Sequence, residues 1–426
     1  MNKRFFKNLI PSVLAFTLAG IYVIVDGLFV GNACGDVGLS AINIAWPVVC
    51  IIQSLGTGIG TGGAVLYNIH RSSGRDDLAE KYLRTTFTLL LVSSVVVIAI
   101  MLLKLDSILA LLGASGETYE LGMIYARLMI IGGISQLVAT GLVPLIRNNG
   151  GATFAMIIMV VGFGFNIVGD WLLVWKFGLG VAGAAYATIA GQLLTAIGGM
   201  GYLLYKKLPF YKLKFSASQT ARIMRLGLSS FGLSICPSIS LMLMNRYFAV
   251  IGGYEALAAY AVISYVISIS YAVLQGVAEG TQPLISESYS KEDAVALKFY
   301  RKRTYIAGEL LALLSVLILY FMRADLGPIF GTSGNASYLV ETRIWIALVG
   351  MFFLCFTKIA TAGFYATERA LAASLMAYAE PVFVWIVLLI FPRFMGIDGV
   401  FLGGSLGQVL NALLGVVLII ANKKKK

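Results

Sequence analysis

The chain has 426 residues, 59% of them hydrophobic and only 12% charged, about half the charged share of a soluble domain. That excludes a water-soluble globular protein, and the net charge of +12 sets topology here rather than marking a nucleic-acid surface. Four cysteines with no CxxC spacing and one histidine, His70, give no basis for a cysteine or histidine metal site or a redox site. Turn signals divide the apolar runs into twelve helices of bilayer-spanning length, at about 10–33, 38–69, 82–104, 120–146, 151–175, 180–205, 222–251, 256–288, 301–322, 338–366, 371–392 and 397–421. The first run is too long for a signal peptide and lacks a small-residue cleavage pattern, so it is expected to be retained. Lys and Arg cluster at Lys3–Lys7, Arg71–Arg84, Arg147, Lys206–Arg225, Lys291–Arg303, Arg369 and Lys423–Lys426. Every second loop is therefore basic, which predicts a multi-pass cell-membrane protein with both termini in the cytoplasm. His70, between an apolar run and Arg71, is expected at a solvated helix end.

The two halves resemble each other. Asp26-Gly-Leu-Phe29 lines up with Asn245-Arg-Tyr-Phe248, Gly60-Thr61 with Gly280-Thr281, Gly141 and Arg147 with Gly363 and Arg369, and Gly191-Gln192 with Gly407-Gln408. The near-constant offset of about 220 residues marks an internal repeat. Six spans separate equivalent helices, so the repeat is parallel. The predicted fold is an all-α polytopic membrane protein of twelve transmembrane helices in two pseudo-symmetric six-helix bundles. Residues 1–205 form the first lobe, 206–220 a cytoplasmic linker and 221–426 the second lobe. Two bundles facing each other across a cleft is a transporter architecture.

Asp26 lies inside the first apolar run, where a charge costs ~2.5–3.5 kcal/mol on insertion scales and so usually serves a function. Asn166 and Asp170 are four apart and share a helix face. Asp170 lies eight residues before Gly178 and Thr188 eight after Gly180, so both sit roughly 12 Å below the turn. Asp26 lies at a similar depth. Two carboxylates, an amide and a hydroxyl are hard oxygen ligands suited to Na⁺ or to a shared proton. The alternative is a set of structural interhelical hydrogen bonds. The second half does not repeat the cluster: Asn245 replaces the aspartate, Val387–Phe391 is apolar, and Thr188 aligns with Gly404. Lys358 and Glu380 flank the Thr367–Arg369 turn at equal spacing and could pair, either structurally or for substrate handling. Glu279, before Gly280 and Gln282-Pro283, is expected as a solvated residue at the cytoplasmic mouth, with gating as the alternative.

From about Pro11 to Leu418 the chain resembles the multidrug and toxin compound extrusion (MATE) family. The resemblance rests on "IYVIVDGLFVGNACGDVGLSAINIAWP", "GTGIGTGGA", "FNIVGDWLLVWKFGLGVAGAAYATIAGQ" and "GVAEGTQPLIS". It implies a two-lobe antiporter exporting organic cations or amphiphiles against H⁺ or Na⁺ inflow. It also implies an ion site on Asp26, Asn166, Asp170 and Thr188, a metal site only if Na⁺ is the coupling ion. Family members often carry an acid late in helix 12, where this chain has Gln408. No cofactor beyond H⁺ or Na⁺, no enzyme activity and no nucleic-acid partner are expected. The lipid bilayer and small molecules are the expected partners, and a monomer the expected state. A lipid-linked sugar or lipid flippase of the same broad fold would need several cleft arginines for pyrophosphate, and only Arg127 and Arg246 are candidates.

Overall fold

The computed structural model describes the backbone of every residue except 113, 115, 331, 333 and 424–426, and the side chains of the rest except 23, 24, 26–28, 31, 32, 35, 36, 39, 254 and 423. Among the described residues every regular element is a helix: α1 Asn2–Ser72, α2 Asp76–Leu111, α3 Gly116–Ile131, α4 Gly133–Asn148, α5 Ala152–Asp170, α6 Gly180–Tyr205 and α7 Ala217–Tyr247. There follow α8 Gly253–Ser290, α9 Ala294–Phe321, the short α10 Arg323–Ile329, α11 Gly334–Tyr365, α12 Ala370–Ile390, the short α13 Pro392–Met395 and α14 Ile397–Lys423. Wider π-helical turns extend α5 over Trp171–Lys176 and α7 over Phe248–Gly252.

As a straight rod, the 71 residues of α1 would reach about 105 Å at ~1.5 Å per residue. Instead both of its ends meet the C-terminal end of α8. Arg4 pairs with Glu287, and Ser73 Oγ donates to the Ser290 carbonyl. The segment therefore doubles back as two legs, with membrane-length apolar stretches at Asn2–Tyr22 and Ser40–Ser72. α3 and α4 meet at a 55° bend beside Gly132 and make one broken span. Among the described residues eleven helices are long and apolar enough to cross a bilayer, or twelve with that bent pair as one span. The connection after α6 is shorter than expected, running from Lys206 to Ser216.

Glycines set the helix spacing. In the run 56–64, a Cβ on Gly60 would lie 2.3 Å from the Gly141 carbonyl oxygen of α4, and one on Gly62 would lie 2.3 Å from the Ile223 carbonyl oxygen of α7. One leg of α1 is thus bound closely to its own half and to the other. Such backbone approach is the usual way membrane helices gain packing energy when lipid is as apolar as their side chains. The outward faces carry exposed Leu103, Val95, Leu310, Phe321 and Val417, as a lipid-facing surface requires.

The basic loops gather at one end. Arg71 bonds Asn149, Tyr202 OH donates to the Asn149 carbonyl at 3.4 Å, and Arg4 reaches Glu287. Asn422 shares a pocket with Arg301 and Arg369 at that same end. The first described residues and the last therefore lie on the basic side. His70 is not at a solvated end: it is 3% exposed and stacks on Tyr82 at 5.1 Å between ring centroids. The aromatic ring of α2 takes the place of water.

Candidate functional site

A closely packed helix pair of the first half positions three of the predicted ion residues. α5 and α6 touch at Gly162 and Gly191, where a Cβ on Gly191 would sit 2.6 Å from the Gly162 carbonyl oxygen. One turn further along α5, Asn166 Nδ2 donates to Thr188 Oγ1 of α6 at 3.2 Å. Asp170 is another turn on and fully buried, at the last α-helical residue before the π turn. Three of the four sequence candidates are thus brought to one buried level between two helices. Asn166 Oδ1 accepts no hydrogen bond among the described residues, which leaves a neutral oxygen lone pair beside a carboxylate. The side chain of Asp26 lies outside the described residues. Its helix passes close by, because Tyr22, one turn earlier, stacks on Phe163 of α5 at 5.0 Å between centroids.

A second polar group joins the two halves at the basic end. Arg147, at the end of α4, meets Glu279 of α8 at 3.2 Å, with both side chains about 5% exposed or less. Glu279 Oε1 accepts from Tyr365 OH of α11 at 2.8 Å and from Gln275 Nε2 at 3.3 Å. The guanidinium of Arg147 also lies 5.3 Å from the ring centroid of Phe16. Beside this pair, Asn68 Nδ2 reaches the Pro283 carbonyl at 2.9 Å and Ser286 Oγ at 2.7 Å, while Asn148 Nδ2 donates to Gln282 Oε1 at 2.9 Å. Gly276 and Gly280 let α8 press against the first leg of α1, where Cβ atoms would fall 2.7 Å from Val13 Cα and 2.6 Å from Ser12 Cβ. Glu279 is therefore not solvated, and Arg147 is not a free loop charge. Each is buried because the other supplies its counter-charge. Sequence reading missed the pair, although the Gln282-Pro283 break beside it was visible.

The second half contains a cavity of about 340 Å³. Tyr260, Tyr271, Met244, Met351 and Phe401 make much of its wall, with Ser240, Ser264, Ser268, Ser405 and Gln408 as polar points and Glu380 as its one carboxylate among the described residues. Lys358 is 1% exposed and stands behind that wall. Its ammonium donates to Tyr271 OH and to the Leu233 carbonyl at 3.4 Å, and lies 4.0 Å from the Tyr271 ring centroid. Among the described residues no ion pair within 4.0 Å joins Lys358 and Glu380, although each charge acts on the other. Equal spacing from the turn matched their depth, but Tyr271 took the lysine's donor and left Glu380 facing the cavity.

A family model described as MatE matches residues 11–172 and 229–388. The chain is 23% identical over 420 residues to "Multidrug export protein MepA" of Staphylococcus saprophyticus, covering 96% of this chain and 91% of that one. It is 24% identical over 419 residues to the protein of the same name from Staphylococcus aureus, with the same coverage. A solved structure described as "Crystal structure of MATE in the straight conformation" superposes with a TM-score of 0.92 at 22% identity, covering 100% of this chain and 97% of that one. One described as "Outward-facing conformation of a multidrug resistance MATE family transporter of the MOP superfamily" gives 0.90 at 22% identity and the same coverage. At such identities the structural likeness concerns the fold.

Proposed function

This chain belongs to the MatE family of multidrug efflux transporters, and from that premise we propose that it is a cation-coupled antiporter that exports organic cations or amphiphiles by alternating access. It is a multi-pass membrane transporter and not an enzyme. The buried set Asn166, Asp170 and Thr188 carries the coupling proposal. Asp26 completes that set in this reading, since Tyr22 and Phe163 stack one turn before Asp26 and Ile167 respectively. H⁺ would be held on the carboxylates, and Na⁺ by the same oxygens with Asn166 Oδ1 and Thr188 Oγ1 added. Either ion cancels charge that is costly in the membrane, and shifts the conformational equilibrium only by binding the two states with different affinity.

The second-half cavity is the proposed place for substrate. Its aromatic and methionine wall suits a flat amphiphile, and methionines adapt to varied shapes. Glu380 supplies the counter-charge for an ammonium. The multidrug export name of the staphylococcal relatives agrees with this chemistry. The buried Arg147–Glu279 contact closes the basic side, which supports an outward-facing state with that side and both termini in the cytoplasm. We take the working unit to be a monomer.

The test is transport in proteoliposomes with a pH gradient and a Na⁺ gradient applied in turn. Efflux of a fluorescent monovalent cation driven by at least one gradient is expected. Transport that persists unchanged when both gradients are collapsed would sink the antiport reading.

A further inference from the structure

Arg301 near the start of α9 and Arg369 at the N-terminus of α12 line one pocket of about 360 Å³ at the basic end of the second half. Among the described residues neither guanidinium has a hydrogen-bond or ion-pair partner, although each is partly buried. The charge nearest in effect to Arg301 is the like charge of Arg369. Among the described residues no carboxylate lines the pocket; its other walls are mainly Ile285, Ile359, Phe364 and Ile419, with Tyr305 beside them and Asn422 at the edge. Two cations held together over apolar walls repel one another and lose hydration, with no carboxylate among the described residues to offset it.

The internal repeat sharpens the point. Arg369 aligns with Arg147, and Gly363 with Gly141. In the first half, Arg147 has Glu279 as a counter-charge, and a Cβ on Gly141 would strike Leu90 at 2.4 Å. In the second half, Arg369 has no carboxylate partner among the described residues, and a Cβ on Gly363 would meet nothing within 4 Å. Close packing does not account for Gly363; it leaves the pocket open. We propose that this pocket binds a phosphate group, with the Arg301 and Arg369 guanidinium groups as its ligands. Planar guanidinium groups match phosphate oxygens in bidentate geometry. The pocket lies at the basic membrane face, and its apolar walls would take the start of an acyl chain. An anionic phospholipid of the cytoplasmic leaflet is the source that fits both features, and free phosphate is the other.

The test uses the full-length protein in a neutral detergent. Its thermal midpoint is followed during titration with phosphatidylglycerol, phosphatidylcholine, or inorganic phosphate against chloride. Two variants accompany the wild type: Arg301→Gln with Arg369→Gln, and Gly363→Leu, which fills the pocket while keeping both charges. Phosphatidylglycerol is expected to raise the wild-type midpoint more than phosphatidylcholine does, because a ligand bound only by the folded state stabilises it. Both variants should lose at least about tenfold in apparent lipid affinity, the worth of a single charge-assisted contact. A response to phosphatidylglycerol alone identifies lipid as the source, and a matching response to inorganic phosphate identifies the free anion. A wild type that treats phosphatidylglycerol like phosphatidylcholine, and phosphate like chloride, overturns the proposal. So does a Gly363→Leu variant that responds as the wild type does, since the arginine effect would then be one of general charge and not of this pocket.

Discussion

Asp170 is fully buried at the junction of an α-helix and a π turn, so under the proposed coupling its neutralisation by mutation would mimic the ion-bound half of the cycle permanently. Asp170→Asn is expected to insert and fold, and to reduce gradient-driven efflux in proteoliposomes to the level of empty vesicles. Thr188 differs in kind. Its hydroxyl accepts from Asn166 and could face a metal ion but cannot hold a proton. Thr188→Val should therefore weaken Na⁺ binding about tenfold, ~1.4 kcal/mol, while moving proton binding far less. Equal losses in isothermal titrations of the two ions would argue against direct coordination. In the second half, the geometry at Lys358 changes what substitution should do. Lys358→Met removes an ammonium that donates to Tyr271 and Leu233. The Tyr271 hydroxyl still donates to the Leu233 carbonyl at 3.1 Å, so the cost is that of the lost charge-assisted bond, ~1.5–3 kcal/mol. Glu380→Gln leaves that arrangement intact and should instead cut efflux of a monovalent cationic dye about tenfold, the worth of one ~1.4 kcal/mol contact. Because each charge acts on the other without a direct contact, the double variant should lose somewhat less than the sum of the singles. A coupling of ~3 kcal/mol or more in chemical denaturation would restore a contact pair.

Helices were legible because the punctuation is physical. Gly178 and Gly180 take positive φ of 66° and 54° in the turn between α5 and α6, a backbone region that glycine enters without strain. That turn fixed the depth of Asp170 and Thr188 from counting alone. The glycine-rich stretch 56–64 was visible as a close-packing signal, but not which neighbour each glycine meets. Gly60 faces α4 and Gly62 faces α7, and a sequence carries periodicity without naming partners. For the same reason the bend between α3 and α4 was not foreseen, since Gly132-Gly133 reads equally well as packing. The α5–α6 contact makes a direct test of the element's role. Gly191→Leu would force the helices apart at the Gly162 carbonyl, and overpacking of this kind costs ~1–3 kcal/mol. Ion binding should fall with it, because Asn166 and Thr188 separate. Gly201→Leu on the same helix, where a Cβ meets nothing within 4 Å, should leave ion binding unchanged. Equal ion affinity in the two variants would mean that helix spacing does not set the site.

Across the whole molecule, the two halves meet at the basic end through groups that no local pattern could pair. Arg147 and Glu279 lie 132 residues apart in the chain, and each alone reads as a loop or mouth charge. The proposed alternating access would require this contact to break, since Arg147 of the first half holds Glu279 of the second. Glu279→Gln leaves Arg147 buried without a counter-charge, a penalty of ~3–5 kcal/mol that falls on the closed state alone. About 2.7 kcal/mol already brings a 99:1 equilibrium to parity, so the variant should populate the state open on the basic side. Arg147→Met combined with Glu279→Met removes both charges together and should restore closure, because apolar replacements often match a buried ion pair in stability. Spin labels on cysteines replacing the exposed Asp77 and Glu292, in a background lacking the four native cysteines, report the separation of the halves at this end. Pulsed electron paramagnetic resonance should show added longer distances in Glu279→Gln and a return toward the wild-type distribution in the double variant. Wild-type distances in the single variant would show that glycine packing between α1 and α8 holds the halves together without the ion pair.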